Sequence, residues 1–200
     1  MLYRIEIKDK PRIFDALGEG IKKDIFDLGI KTVQSVRFIQ VYLIEGEVSD
    51  AEVEKICQEL LVDKISQDYA INEHNEHNDF VVEVAYNPGV MDPVEESTLK
   101  GIQDLGIEQV RSVKTAKKYL LKGRLKPQQL KVISEKLLYN KLIQHVVKPS
   151  AESHEPSAIS NVDYQFNLIT VDLIDASDKK LQEISRAGQL FLNLQEMRQI

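Results

Sequence analysis

Three groups of residues in this 200-residue chain stand at spacings that could carry chemistry. The first is Glu73-His74-Asn75-Glu76-His77-Asn78. Its two histidines at i and i+3, beside carboxylates, would hold zinc if the segment folded into a turn. A polar six-residue joint rich in Asn and Glu reads more simply as a connector. The second group is the run Arg111 to Lys126, which holds Arg111, Lys114, Lys117, Lys118, Lys122, Arg124 and Lys126 and no acid. Such a run suits phosphate, nucleic acid or an acidic protein surface. Without interleaved exposed aromatics for base stacking, docking or subunit complementarity is the better reading. Lys117 and Lys118 also point to opposite faces of a strand. The third group is Asn87-Pro88-Gly89-Val90-Met91-Asp92-Pro93. Pro-Gly sets a tight bend, and Asp92 before Pro93 is biased away from helix, so a helix starts here. The turn serves either as a plain helix start or as a rigid loop offered to a neighbouring subunit.

Enzymatic signatures are otherwise missing. The chain has no glycine-rich phosphate loop, no Cys-x-x-Cys pair and no His-Glu-x-x-His. Its single Cys57 excludes an internal disulfide and fits a reducing cytoplasm. A Cys-His nucleophile would need a histidine beside Cys57, and all four histidines fall in or next to predicted connectors. No catalytic, cofactor-binding or metal-binding residue is therefore assigned. No apolar run approaches the roughly 20 residues that span a bilayer, and Met1 to Glu6 lacks a signal peptide's apolar stretch.

The elements that must position these groups come in duplicate. Asp27-Leu28-Gly29-Ile30 returns as Asp104-Leu105-Gly106-Ile107, and the offset of 77 residues holds without a gap. It matches Pro11 with Pro88, Asp15 with Asp92, Tyr42-Leu43 with Tyr119-Leu120 and Gly46 with Gly123. Two copies of a small unit bury a surface against each other, as a pseudo-dimer. Each copy predicts a strand (Leu2 to Lys8, Asp79 to Ala85), then a helix introduced by Pro11 or Pro88. Ile13, Phe14, Leu17, Ile21, Ile25 and Leu28 form the apolar stripe of the first such helix. Gly29 and Gly106 are its left-handed stops. A long strand follows (Thr32 to Ile44, Gln109 to Leu121), whose alternation slips between Val33 and Val36 and between Val110 and Val113, as at a bulge. Then come a second helix, capped at Ser49 or opened by Pro127, and a short last strand. Cys57 aligns with Ser134 on that helix's buried face, as a small core residue. The fold class is α+β: two tandem β-α-β-α-β units, residues 1–72 and 79–149, with helices on one sheet face.

Charge divides between the copies. Residues 1–72 carry 10 basic and 14 acidic side chains, a net of −4; residues 79–149 carry 12 and 8, a net of +4. Mutual complementarity is the simplest reading. Beyond them, residues 150–161 form a polar, proline-bearing linker, and residues 162–200 read as the beginning of a further domain. There, Tyr164 to Leu173 alternates like a strand, Asp178 to Ala187 suits a short helix, and another helix starts near Asn193.

At Tyr86-Asn87-Pro88-Gly89-Val90-Met91-Asp92-Pro93, Leu105-Gly106-Ile107 and Val110-Arg111-Ser112-Val113-Lys114 the chain resembles the small PurS subunit of phosphoribosylformylglycinamidine synthase. The first copy keeps Pro11 and Asp15 of that pattern and loses its glycine and second proline. Residues Val171 to Ser185 and Leu192 to Met197 look like the opening of the synthetase subunit, PurL. The resemblance implies the N-terminal part of a PurS-PurL fusion, cytoplasmic and engaged in purine biosynthesis. It implies a ligase that uses ATP, magnesium and ammonia from glutamine, in which PurS-like units carry no catalytic group. They would bridge the synthetase body, in the same polypeptide, and the glutaminase, and help enclose the ammonia path. Pro88, Gly89, Asp92 and Pro93 would form an interface turn, with neither nucleic acid nor membrane as partner. The alternatives are an amino-acid regulatory module of the ACT kind and a nucleic-acid-binding module.

Overall fold

Alternating β-branched and aromatic residues build six strands, which a computed structural model of the chain joins into one sheet of order β3-β1-β2-β5-β4-β6. Every neighbouring pair is antiparallel. The structure describes residues 1–73, 80–147, 170–188, 190 and 192–199. The first copy supplies β1 (Leu2–Asp9), α1 (Ala16–Asp27), β2 (Val33–Gly46), α2 (Asp50–Ile56) and β3 (Gln67–Ile71). The second supplies β4 (Phe80–Tyr86), α3 (Pro93–Asp104), β5 (Val110–Gly123), α4 (Pro127–Ile133) and β6 (Gln144–Val146). Both α2 and α4 run on into one π-helical turn, Cys57–Leu61 and Ser134–Leu138.

The copies join along β2 and β5. Gln40 stands opposite Lys117, its own counterpart at the 77-residue offset, so the pseudo-twofold axis passes through this pair. The register shifts between Val33 and Ser35 and between Glu45 and Gly46, leaving Gln34 and Arg111 as the extra residues of two equivalent bulges. These are the places where the sequence alternation slips. At the ends of the ladder, a Cβ on Gly46 would press on the Gln109 carbonyl and come within 2.8 Å of Val110 Cα. One on Gly123 would press on the Thr32 carbonyl and come within 3.0 Å of Val33 Cα. Only glycine lets the end of each long strand lie against the start of the other.

The first helix of each copy ends as its Leu-Gly-Ile motif requires. Gly29 and Gly106 adopt φ of 83° and 79°. Ile30 N–H reaches back to Ile25 O, and Ile107 N–H to Ile102 O, both at 3.3 Å. These isoleucines then pack in the other copy's half of the sheet. Ile25 and Ile30 join Val82, Val84, Leu121 and Ile133, while Ile102 and Ile107 join Ile5, Ile7, Val53 and Ile56. Each core is thus composite, a closer union than two finished units touching. Pro11 and Pro88 do not introduce helices, because each lies in a β-turn and the helices begin at Ala16 and Pro93. Ile13 and Phe14 consequently stay outside α1, and with Leu17 they are exposed rather than part of a core stripe.

On the face opposite the helices, Ile39, Val41, Leu43, Ala85, Ala116 and Leu120 form a third buried cluster. Four charges share that face. Arg4 donates to Glu6 at 2.8 Å and to Glu83 at 2.7 Å, and Lys118 donates to Glu6 at 2.9 Å. Glu6 and Glu83 are equivalent residues, so one arginine and one lysine neutralise one glutamate from each copy. Burial pushes the Glu6 carboxyl up, yet the bonds and charges of Lys118 and Arg4 outweigh it and hold it below the usual range. Arg4 and Glu6 alternate along β1 with the core residues Tyr3, Ile5 and Ile7, and both are buried as well.

Gln165 to Ile200 forms a second compact unit. It holds α5 (Asp178–Ala187) and α6 (Leu194–Met197), the two helices expected there. Arg198 pairs with Asp178 at 2.6 Å, and the Ser185 hydroxyl donates to Leu192 O at 2.8 Å. Residues 170–173 are not strand. The rest of that predicted strand and the 150–161 linker lie outside the described residues.

Two outcomes follow from the composite core and the charge network. Ile25→Ala is expected to cost about 2–5 kcal/mol and to speed hydrogen exchange in β4 as well as α1, because its cavity opens in the second copy's core. Glu6→Gln is expected to cost about 3–5 kcal/mol, since it leaves Lys118 buried without a carboxylate and Arg4 with Glu83 alone. A carboxylate depressed by folding contributes fully above its unfolded pKa of about 4.3 and loses that contribution as pH falls through its folded value. Urea midpoints from pH 7 down to pH 3 should therefore fall less steeply in the variant than in the wild type.

Candidate functional site: two equivalent clefts

The Pro-Gly turn and its first-copy counterpart are built alike from different residues. Val90 N–H closes one turn on Asn87 O at 3.0 Å, and Ile13 N–H closes the other on Lys10 O at 2.9 Å. Gly89 takes φ of 83°, whereas Arg12 at the matching position does not enter the left-handed region. The first-copy turn has therefore changed type rather than been lost. Neighbouring loops brace both: Asn87 N–H donates to Ile143 O and Lys10 N–H to Ser66 O, each at 2.9 Å. Asn87 Oδ1 also faces His145 Nδ1 at 3.1 Å, which places the ring proton on that nitrogen. Burial lowers the His145 pKa, which favours the neutral ring.

An aspartate ends each turn and ties it to the long strand. Asp92 caps α3 by accepting Val94 N–H at 2.9 Å, while its second oxygen takes the Thr115 hydroxyl. Asp15 accepts Gly18 N–H at 2.7 Å and Phe38 N–H at 2.8 Å. Phe38 and Thr115 are equivalent, so a backbone donor in one copy is replaced by a hydroxyl in the other. Asp92 is buried, and its charge, after burial itself, raises the pKa of Tyr42.

A cleft of about 550 Å³ opens beside the second turn. Pro88, Gly89 and Asp92 line it with Glu95 and Lys114, and Leu2, Leu43 and Glu45 close it from the first copy. Pro93 is the exposed first residue of α3 and does not line the cleft. Lys114 bonds Glu95 at 3.0 Å across it. The equivalent cleft, of about 340 Å³, is lined by Lys8, Asp15, Ser35, Arg37 and Ile39, with Leu120 from the second copy. Asp15, Ser35 and Arg37 correspond to Asp92, Ser112 and Lys114, and Leu120 to Leu43. Each cleft is thus completed by the other copy. An open groove of about 520 Å³ along β3 also exists, but there the Lys10 ammonium is taken up by the carbonyls of Lys64 and Ile65.

The other candidate groups do not assemble. Within the basic run, Arg111 pairs with Glu47, Lys114 with Glu95 and Lys118 with Glu6, while Lys117 is exposed at the pseudo-twofold axis. Lys122, Arg124 and Lys126 are exposed and have no carboxylate partner among the described residues, so the run is split between paired and unpaired charges, and two of the three pairs join the copies. Burial, followed by the charge of Glu54, pushes the Cys57 thiol up to about 12, so it stays protonated in the core. Residues 74–78 of the histidine-bearing connector lie outside the described residues. Among the described residues no group of three or more His, Cys, Asp or Glu side chains could hold a metal ion, and no helix is long and apolar enough to cross a membrane.

Comparison with known proteins adds two findings. A family model described as PurS: Phosphoribosylformylglycinamidine (FGAM) synthase matches residues 2–75 and again residues 79–149. Among solved structures, the chain is similar to Methanocaldococcus jannaschii PurS, one of the subunits of formylglycinamide ribonucleotide amidotransferase in the purine biosynthetic pathway. The identity is 27% over 35% of this chain and 90% of that one, with a TM-score of 0.33. No curated protein sequence matches the chain.

The braces of the second turn can be tested one at a time. Thr115→Val leaves a buried carboxylate oxygen of Asp92 without its donor and is expected to cost about 1–3 kcal/mol, with Thr115→Ser close to wild type. At Gly89 an added Cβ meets nothing within 4 Å. Gly89→Ala should therefore cost only the backbone penalty of about 1–2 kcal/mol. Chemical denaturation of the three variants checks both statements.

Proposed function

The chain belongs to the PurS family of FGAM synthase, an enzyme of purine biosynthesis, and from that premise we propose that it works by assembly rather than by catalysis. It bridges the synthetase and glutaminase parts and helps enclose the path of ammonia between them. ATP and magnesium belong, in this reading, to the synthetase body, which α5 and α6 open in the same polypeptide. Pro88, Gly89, Asp92 and Pro93 form the docking turn. Ammonia that escapes to water is protonated and ceases to be a nucleophile, so a bridging component raises glutamine-dependent turnover without contributing a reacting group.

The observation that carries this reading is the bracing of the turn. Asn87 is held by Ile143, and Asp92 by Val94 and Thr115, while Pro88 and Gly89 between them are exposed. A loop fixed at both ends and exposed between loses little entropy on docking. Its neighbours also hold their own charges: Lys114 is committed to Glu95, and Asp92 to two donors.

The test compares the assembled synthase with and without residues 1–149, driven by glutamine or by added ammonia. Loss of about tenfold or more in glutamine-driven turnover, with ammonia-driven turnover within about twofold, is the expected result. Equal loss of both would make the region a folding requirement and defeat the proposal.

A further inference from the structure

The two equivalent clefts have acquired opposite charge. The second-copy cleft presents Asp92, Glu95 and Glu45 against Lys114. The first-copy cleft presents Lys8 and Arg37 against Asp15, whose two oxygens are already occupied by backbone N–H groups. Arg12, exposed on the adjoining turn, adds a further cation. Among the described residues Lys8, Arg12 and Arg37 have no carboxylate partner.

Beside each cleft, at matching positions on the helix start, lies an apolar pair. Phe14 and Leu17 are 73% and 60% exposed, and Met91 and Val94 are 75% and 41% exposed. Ile13, also exposed, enlarges the first-copy patch. An aromatic and two branched aliphatics exposed within five residues of one another, flanking Asp15 of a cleft that holds the unpaired Lys8 and Arg37, are the features of a docking site.

We propose that the Ile13-Phe14-Leu17 patch with Arg12, Arg37 and Lys8 is a second docking site, distinct from the Pro88–Pro93 turn. It takes an apolar surface rimmed by carboxylates on another component of the synthase. Charge complementarity selects that occupant, because unpaired cations around an apolar centre reward an acidic rim and repel a basic one. The acidic second-copy cleft of another molecule of this chain would also satisfy the charges. Such a head-to-tail contact is heterologous and propagates into rings or fibres, so a different chain is the better occupant. The proposal rests on the assembly reading but concerns a different face.

The experiment uses the full 200-residue chain with the synthetase body expressed separately from it and with purified glutaminase, binding each in turn by calorimetry and following self-association by sedimentation. Phe14→Ser with Leu17→Ser is expected to weaken binding of one component about tenfold to thirtyfold. Arg12→Glu with Arg37→Glu should weaken the same component and flatten its salt dependence. Val132→Ser, at an exposed apolar position on α4 away from both turns, should leave that component's affinity unchanged. All of these residues are exposed, and unchanged thermal midpoints confirm that the variants fold. Undiminished binding of both components by the first-copy variants would overturn the proposal, as would a loss of self-association alone, which would make a second copy the occupant. Failure of the wild type to bind either component would instead reject the assembly reading.

Discussion

The antiparallel pairing of β2 with β5 is the constraint on which the rest of the structure depends. Its register puts Gln40 opposite Lys117, and once that pair is fixed every other equivalent pair is placed by symmetry. Each long strand outruns its outer neighbour: pairing of β2 with β1 reaches only Gln40, and pairing of β5 with β4 only Ala116. Beyond those points a bare strand edge would invite association with other chains. The starts of α1 and α3 are tied to these stretches by Asp15 and Asp92, and the clefts form there. The bulges at Gln34 and Arg111 end the ladder where Gly46 and Gly123 need to pass close to the opposing backbone.

The same pairing makes the two copies one folding unit. A helix that ended over its own strands would leave each copy with a core of its own. Instead the Schellman turns at Gly29 and Gly106 direct Ile30 and Ile107 into the core of the opposite half. On the far face Arg4 spans from its own Glu6 to Glu83 of the second copy, and Lys118 reaches back to Glu6. Apolar packing on one face and ion pairing on the other thus both cross the seam. Buried ion pairs are weak contributors to net stability but costly to break singly, so their effect here is to specify how the halves pair.

Much of this was legible in the sequence because the repeat supplied each feature twice. The Leu-Gly-Ile stop, the bulge in the long strand, the Ser49 capping box and Pro127 at a helix start all rest on local backbone chemistry, and all are found. The start of α1 is not legible, because Pro11 suits the second position of a turn as well as the first of a helix. That ambiguity carries Ile13 and Phe14 into a core they do not enter. The burial of Arg4 and Glu6 is not legible in the sequence, because alternation reveals which residues share a face but not whether that face is covered. The cleft was half legible. Pro88, Gly89 and Asp92 stood out as a turn, but the pairing of Lys114 with Glu95 and the closure by Leu2 and Leu43 depend on strand register, which sequence spacing does not reveal.

The seam also shows why a tandem chain can differ from a dimer of identical halves. In a homodimer of the second copy, Lys117 would face another Lys117 across the axis. Glu47, the partner of Arg111, would be replaced by its counterpart Arg124. Both substitutions set like charges together, a direct penalty on that pairing. A homodimer of the first copy avoids those clashes but doubles a net charge of −4. Only the mixed pair sets Gln40 against Lys117, Glu47 against Arg111 and Glu6 against Lys118. Covalent linkage released the two halves from self-complementarity, and mutations that a symmetric dimer would feel twice could then accumulate on one side alone. The opposite charges of the two clefts are what that release permits: one inherited surface, present twice, with a different chemistry in each copy.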